Sequence, residues 1–504
     1  MVSARAAAAA REVQAAAPHD DPSAIDVGFG PAIDPYAQVS TVRMRRSGHW
    51  SHHFSYEDGS QGPATALHGF GRHEHSRCAV PGSVDPVSGT TSEIIARLRV
   101  NAVPRPQAHR PIRYIGQVNT PSANSLIWAQ RLVGINTVSD QSNLPLIECI
   151  ADHLRGLAVP IRLTWDADRR KANLFATLGA GKPGGIVLSG HTDTVPWDGQ
   201  AWSADPLSAQ VRDGRLYGRG SADMKGWIGL VVAQSQAWLD ADLPFALHYA
   251  FSYDEEVGGF GARGLIADLR DAGIAPRLCI VGEPTDMVPA IAHKGVHRWR
   301  CCVRGKAAHS SLVPQSVNAV EAAARVVAHI SGIADELRDS GPRDAAFDVP
   351  YTTAAVCVFE GGIADNVVPE SARFHYEFRD LPGADVALLQ QRVLSYARSL
   401  EPAMQAVLSD AGFSFESFAS MPAFSAAPDE PAVALALRLA GTTRTTRVAF
   451  GTEAGLFQRA GMSTVVCGPG SIAQAHQADE YVSLEQLARC EAFLRALATE
   501  APPA

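Results

Sequence analysis

Hydrophobic and polar positions change period several times along this chain. Apolar residues fall at helical spacing in Ser122 to Val138, at Leu126, Ile127, Ala129, Leu132 and Val133. Leu144 to Leu157 repeats that spacing with Leu146, Ile147, Ile150, Ala151 and Leu154 on one face. Short apolar runs at Ile161 to Thr164, Asn173 to Ala176 and Ile186 to Ser189 read as strands. A helix is expected over Trp227 to Trp238, then a strand Phe245 to Tyr253, a helix Gly261 to Ala272 and a strand Leu278 to Val281. This alternation predicts an α/β layered fold. After Lys294-Gly295 the texture changes. Val296 to Val303 alternates, Ser316 to Leu337 and Val386 to Leu400 read as amphipathic helices, and Tyr351 to Phe359, Arg373 to Phe378 and Phe413 to Phe418 read as strands. That order, β-α-β-β-α-β, is the small ferredoxin-like sandwich. The α/β pattern resumes near Met421 with a helix Pro431 to Ala440, a strand Ser463 to Cys467 and a helix Leu484 to Ala498. Two domains are therefore expected: residues 119–295 with 421–504, interrupted by 296–420.

At 504 residues the chain is long enough for two or three domains with sizeable cores. A net charge of -8 with mixed signs argues against a nucleic-acid surface. No run reaches the roughly 18 apolar residues of a membrane span. The 8 cysteines are scattered, which fits a reducing cytosol better than a disulfide framework. Residues 1–115 lack a useful period and hold 8 of the 17 histidines. They have no apolar core of a targeting peptide. A disordered extension without catalytic residues is expected there, with a His-rich metal-binding tail as the alternative. Only 5 of the 44 basic residues are lysines; Lys225, Lys294 and Lys306 each sit in a glycine-containing turn beside a candidate site residue.

The chemistry gathers at the ends of apolar runs. GGIVLSGHTDTVP carries His191 and Asp193 just past a strand, on one side of it because a strand has period two. One can bind a metal while the other orients the imidazole. GRGSADMKG delivers Asp223 to the start of a helix. YAFSYDEEVGG ends a strand in Asp254, Glu255 and Glu256. Crowded carboxylates repel unless a cation sits among them, and neighbouring strand-end residues point apart. One can then bind metal while the other acts as a general base. The plainer alternative is a solvated acidic turn. Glu283 in CIVGEPT and His476 in GPGSIAQAHQADEYV are unremarkable singly, as a turn acid and a loop histidine. Taken together, two histidines and three carboxylates on converging strand tips suit two borderline divalent ions, Zn²⁺ or Co²⁺. Such ions, about 3.5–4 Å apart, activate a water and polarise a carbonyl.

In this order and spacing, HTDTVP, GRGSADMKG, DEEVGG, GEPT, GKAAHS and AHQADEY resemble the dinuclear zinc amidohydrolase and exopeptidase family. That family includes acetylornithine deacetylase, succinyl-diaminopimelate desuccinylase, aminoacylase and carboxypeptidases. The resemblance covers about Asn119 to the end. It implies a zinc-exopeptidase-like three-layer α/β/α catalytic domain interrupted by a ferredoxin-like α+β lid that mediates dimerisation. It also implies that His191 and His476 are terminal ligands, that Asp223 bridges, and that Glu256 and Glu283 complete the two sites. Asp193 orients His191, and Glu255 is the general acid/base. His309 in GKAAHSS resembles a lid histidine that stabilises the oxyanion. Asn366 and Arg379 resemble positions that hold the substrate amide and α-carboxylate. The plainer alternative for Arg379 is a salt bridge to Glu377 or Asp380. FGTEAG and HTDTVPWD point to the acetylornithine deacetylase branch, where Glu453 could meet the ammonium of ornithine. The expected enzyme is a cytoplasmic homodimer that hydrolyses a small N-acyl amino acid, with no nucleic-acid or membrane partner. Rival readings are a desuccinylase, aminoacylase or dipeptidase, or a non-catalytic metal-binding protein.

Overall fold

The computed structural model describes residues 119–500. The extension expected over 1–115 lies outside them. The larger of the described sheets has the strand order, by first residue, Ile161, Ala172, Leu247, Ile186, Leu278, Ser463, Ala290, Phe424, with Thr446–Val448 also paired to Ala290–His293. Its centre is parallel: Leu247–Ser252, Ile186–His191, Leu278–Pro284 and Ser463–Gly468 all run the same way. Ile161–Trp165 and Ala172–Leu178 add antiparallel strands at one edge. Every residue of Ile186–His191, Leu247–Ser252 and Leu278–Pro284 is buried, because helices cover both faces of a parallel sheet.

The helix Lys225–Ala233 is buried on all sides and so lacks a polar face. It packs closely on Ala123–Val133. A Cβ at Gly229 would come within 2.6 Å of the Ala129 backbone, so only glycine permits that approach. Its Trp227 lies against Gly282, where a Cβ would meet the indole ring at 2.1 Å, and donates its indole N–H to the Ser189 carbonyl at 3.0 Å. This helix is thereby fixed across the middle of the sheet, beneath the strand tips.

The chain leaves this sheet at Val296 and returns at Met421. Between them Val296–Arg304, Thr353–Gly361, Ser371–Arg379 and Gly412–Met421 form a four-stranded antiparallel sheet in the order Thr353, Ser371, Val296, Gly412. Helices Ala319–Ser340 and Val386–Gln405 pack on one face of it. Asn318 starts the first of these by accepting the N–H groups of Val320 and Glu321, and Asp385 starts the second by accepting that of Leu388. Burial alternates along Ser371–Arg379, with Ala372, Phe374, Tyr376 and Phe378 facing the helices. The two cores are separate. One uses residues 128–291 and 424–497, the other residues 301–411. A small cluster of Ala262, Val296, Met421 and Leu456 lies where the chain passes between them.

Several expectations shift. The first helix ends at Val133 instead of running to Val138, because Gly134 follows and Asn136 turns its side chain onto the Val138 N–H. The helix expected over Trp227 to Trp238 starts at Lys225 and breaks at Gln234 into Lys225–Ala233 and Ser235–Asp240. Short strands at Ala290–His293, Phe424–Ser425 and Thr446–Val448, and the three-stranded sheet of Gln210–Arg212, Arg215–Tyr217 and Tyr481–Ser483, carry too few residues to show a period.

Candidate metal centre

His191 is the last residue of its strand, and Glu283 sits near the end of the neighbouring parallel strand. Asp223 lies just before the buried helix that starts at Lys225. Glu256 follows the strand Leu247–Ser252, and His476 lies in the loop after Ser463–Gly468. These five converge. His191, Asp223 and Glu283 form one group whose ligand atoms lie within 4.8 Å of one another, and Asp223, Glu256 and His476 form a second. Asp223 belongs to both. Its Oδ1 is 2.9 Å from His191 Nε2, and its Oδ2 is 3.3 Å from His476 Nε2. His476 Nε2 is also 3.1 Å from Glu256 Oε1, and His191 Nε2 is 3.7 Å from Glu283 Oε1.

The electrostatics are those of a site short of positive charge. Burial raises the Glu256 and Glu283 carboxyls, and the nearby Asp223 charge raises them further. Burial opposes charge on His191, yet its hydrogen bonds to Asp193 and Asp223 and the charge of Glu283 raise it well above the usual imidazole range. His476 is pushed up to about 10 by its hydrogen bonds to Asp223 and Glu256. Burial would raise Asp223, but both imidazoles hold it far below the usual carboxylate range. Protonated imidazoles here occupy the electrostatic role that a divalent cation fills better. The donor set of two imidazoles and three carboxylates, one of them shared, fits two borderline ions.

Asp193 is buried at the centre of the support. Its backbone carbonyl accepts from His191 Nδ1 at 2.9 Å, leaving Nε2 to face the carboxylates, while its Oδ1 is 3.6 Å from that nitrogen. Its carboxylate instead accepts from the Ser139 hydroxyl at 2.7 Å and from the backbone N–H groups of Glu255 at 3.1 Å and Glu256 at 3.3 Å. Asp193 thus orients the histidine with its carbonyl and anchors the acidic turn with its side chain. Lys171 ties the same region together, donating to the Asp254 carboxylate and to the Ser139 carbonyl. Asp254 holds φ at +56°, in the left-handed region that aspartate tolerates better than most residues. Glu255, next along, has a carboxyl raised well above its ordinary value, first by burial.

The remaining candidates join neither ligand group. His309 is exposed on a two-residue strand, Ala308–His309, paired with Val367–Val368, and its Nδ1 is 2.9 Å from the Ser311 hydroxyl. Asn366 is beside it: its carbonyl accepts the Ser310 N–H at 2.9 Å. Arg379 donates from Nε to Glu377 at 2.9 Å, the salt bridge that was its plainer alternative. Glu453 departs from expectation. It is 1% exposed, and its two carboxylate oxygens accept from the Ser189 and Ser252 hydroxyls on adjacent parallel strands. Its carboxylate is held between those strands by the two hydroxyls, close enough to His191 and Glu255 for the charges to act on one another. Sequence reading did not mark Ser139, Lys171, Arg219 or Glu480. Two of them carried a signal: Glu480 as the acid of the late ADEY stretch, and Arg219 as the arginine of GRGSADMKG.

The profile of peptidase family M20/M25/M40 matches residues 187–500. An acetylornithine deacetylase of Myxococcus xanthus is 36% identical over 378 residues, covering 72% of this chain and 93% of its own length. An acetylornithine deacetylase of Proteus mirabilis is 34% identical over 363 residues, covering 71% and 90%. Among solved structures, an M20 family metallo-carboxypeptidase of Sulfolobus solfataricus superposes with a TM-score of 0.60 at 17% identity, over 75% of this chain and 100% of that one. The last likeness concerns the fold.

Proposed function

Because this chain belongs to the M20/M25/M40 peptidase family, we propose that it hydrolyses the acetyl amide of N2-acetyl-L-ornithine, giving acetate and L-ornithine for arginine biosynthesis. The observation that carries the reading is the convergence of five ligand-type side chains into two groups sharing Asp223. The relatives named acetylornithine deacetylase supply the substrate.

His191, Asp223 and Glu283 would hold one divalent ion and Asp223, Glu256 and His476 the other, with Zn²⁺ or Co²⁺ as the ions the donor set suits. When bound, the ions supply Lewis acidity at the acyl oxygen and at the attacking water. Glu255 accepts the proton of that water as its oxygen adds to the acyl carbon. The C–N bond then breaks, and Glu255 returns the proton to the leaving nitrogen. Asp193 keeps His191 facing the cluster and fixes the turn that carries Glu255. Arg379 would exchange Glu377 for the substrate α-carboxylate, which its planar fork fits. Asn366 would meet the substrate amide, and His309 the developing oxyanion.

We further propose a cytoplasmic homodimer joined through the four-stranded sheet region. Among the described residues its edge strand Thr353–Gly361 is paired on one side only and exposes Val358 at 37% and Phe359 at 43%, with Ile363 beyond it at 87%. No described helix is long and apolar enough to cross a membrane.

The test is turnover of N2-acetyl-L-ornithine beside N-succinyl-diaminopimelate and N-acetyl-L-methionine, after chelation and after return of Zn²⁺ or Co²⁺. Preference for acetylornithine supports the reading. Preference for another substrate would move it to a related amidase, a live comparison because the buried Glu453 no longer argues for an ammonium group.

A further inference from the structure

Asp223 and His476 sit on turns far apart in sequence, yet a shared ion needs their spacing set to a fraction of an ångström. Glu480, 1% exposed, ends the loop that carries His476 and reaches across to the Asp223 turn. Its Oε1 accepts the backbone N–H groups of Ala222 at 2.9 Å and Asp223 at 3.1 Å. Its Oε2 accepts the Gly220 N–H at 3.1 Å and Arg219 Nη1 at 2.8 Å. Three of its four donors are therefore the main chain of the Asp223 turn. Arg219 is as buried as Glu480 and lies 5.2 Å from the centre of the Trp202 ring. Its Nη2 donates to Gln200 Oε1 at 2.6 Å, and Gln200 Nε2 donates to the His476 backbone carbonyl at 2.9 Å. His476 itself holds φ at +62°. The chain of contacts runs unbroken from the bridging aspartate to the far histidine. Burying an ion pair is a poor route to stability alone, since apolar residues of like volume do as well. Donors aimed at one turn and a relay ending on the other indicate a geometric task.

We propose that Glu480 is a positioning residue that sets the spacing of Asp223 and His476. It does so directly on the Asp223 turn and through Arg219 and Gln200 on the His476 turn, and it thereby fixes the affinity of the Asp223–Glu256–His476 position for its ion. This rests on the metal-binding reading above.

The test titrates Co²⁺ into chelator-stripped full-length protein, followed by calorimetry and visible absorption. Two binding events are expected, and His476→Ala, by abolishing one, identifies it. Gln200→Leu should weaken that event by about tenfold and spare the other, the scale typical of groups that orient ligands. Glu480→Gln should weaken the same event by about 10–100-fold and the other less. Combined, the two changes should cost less than the sum of the separate effects, because they cut one relay. Thermal unfolding of the stripped proteins tells misfolding from mispositioning; if Glu480→Gln fails to fold, Gln200→Leu carries the test. Wild-type affinity for the His476-dependent event in Gln200→Leu, or in a folded Glu480→Gln, would overturn the inference. A wild-type protein that binds no Co²⁺ would overturn the metal reading instead.

Discussion

The two sheets of this protein treat charge in opposite ways. In the large mixed sheet, charged side chains are buried at the tips of parallel strands and their states are set by one another: His191, Asp193, Asp223 and Glu283 are all at most 5% exposed. In the region of the four-stranded sheet the interior is apolar and aromatic, and charge stays mostly near the surface in pairs such as Arg373–Glu360 on the sheet and Arg392–Glu336 on its helices, with Asp380 the buried exception. The difference follows from sheet type. A parallel sheet is covered on both faces, so polar groups on it gather at the strand ends, where a site can form. An antiparallel sheet with one solvated face keeps its charges in water, where each pair contributes little. Chemistry should therefore fail when the first region is changed, and folding or substrate affinity when the second is.

The largest separation should come from Glu255→Ala. Turnover should fall by about 10²–10⁴-fold, the scale of a lost general base, while metal content and melting temperature hold. Loss of metal together with activity would mean that Glu255, not Glu256, is the ligand. Phe374→Ala in the second region should do the reverse. Phe374 is fully buried among Tyr376 and the helices, and its removal should cost about 3–5 kcal/mol of stability by denaturant unfolding, with turnover per folded molecule retained.

Much of this contrast was legible in the sequence. Apolar runs ending in His191, Glu256 and Glu283 mark parallel strands whose tips carry polar groups, and a Gly-rich turn before an apolar helix marks Asp223. Arg373 to Phe378 reads as a strand, and a period of two is enough to place Phe374, Tyr376 and Phe378 on one face of it. Side-chain direction inside a turn was not legible. Glu453 reads as an acid in a glycine-rich loop, and nothing in the string shows that it points down between Ser189 and Ser252. Ser139 is a hydroxyl in the middle of a helix–helix connection, without any pattern to connect it to Asp193. Strands of two to four residues, such as Ala290–His293, are formed by their neighbours in the sheet and have no period of their own.

Arg379→Ala sharpens the comparison at the seam. If the second region supplies substrate affinity only, KM for N2-acetyl-L-ornithine should rise by about 10–100-fold with kcat little changed, as for a lost charged hydrogen bond. A fall in kcat alone would place Arg379 in the chemistry. A smaller effect concerns His248 in the large sheet, 6% exposed and lowered to about 4 by burial. Its folded pKa lies below the unfolded value near 6.5, so the unfolded chain takes up the proton first and stability falls as pH drops from 6.5 towards 4. Between pH 7 and pH 5, stripped wild-type protein should lose about 2 kcal/mol more than His248→Gln. Equal pH slopes would show that His248 stays solvated. The smallest effect is expected from Arg392→Ala. Its pair with Glu336 bridges the two helices of the second region at their surface, with side chains 34% and 55% exposed. Its removal should change stability by no more than about 1 kcal/mol.

The central claim is that two ions at the strand tips of the large sheet drive amide hydrolysis. It is tested most directly by adding Zn²⁺ or Co²⁺ stepwise to chelator-stripped protein while following both bound metal and N2-acetyl-L-ornithine turnover. Binding that saturates at two ions per chain, with turnover rising from none in step with occupancy, is the predicted result. Full turnover in stripped protein, or two ions bound with no hydrolysis of any N-acyl amino acid, would contradict it.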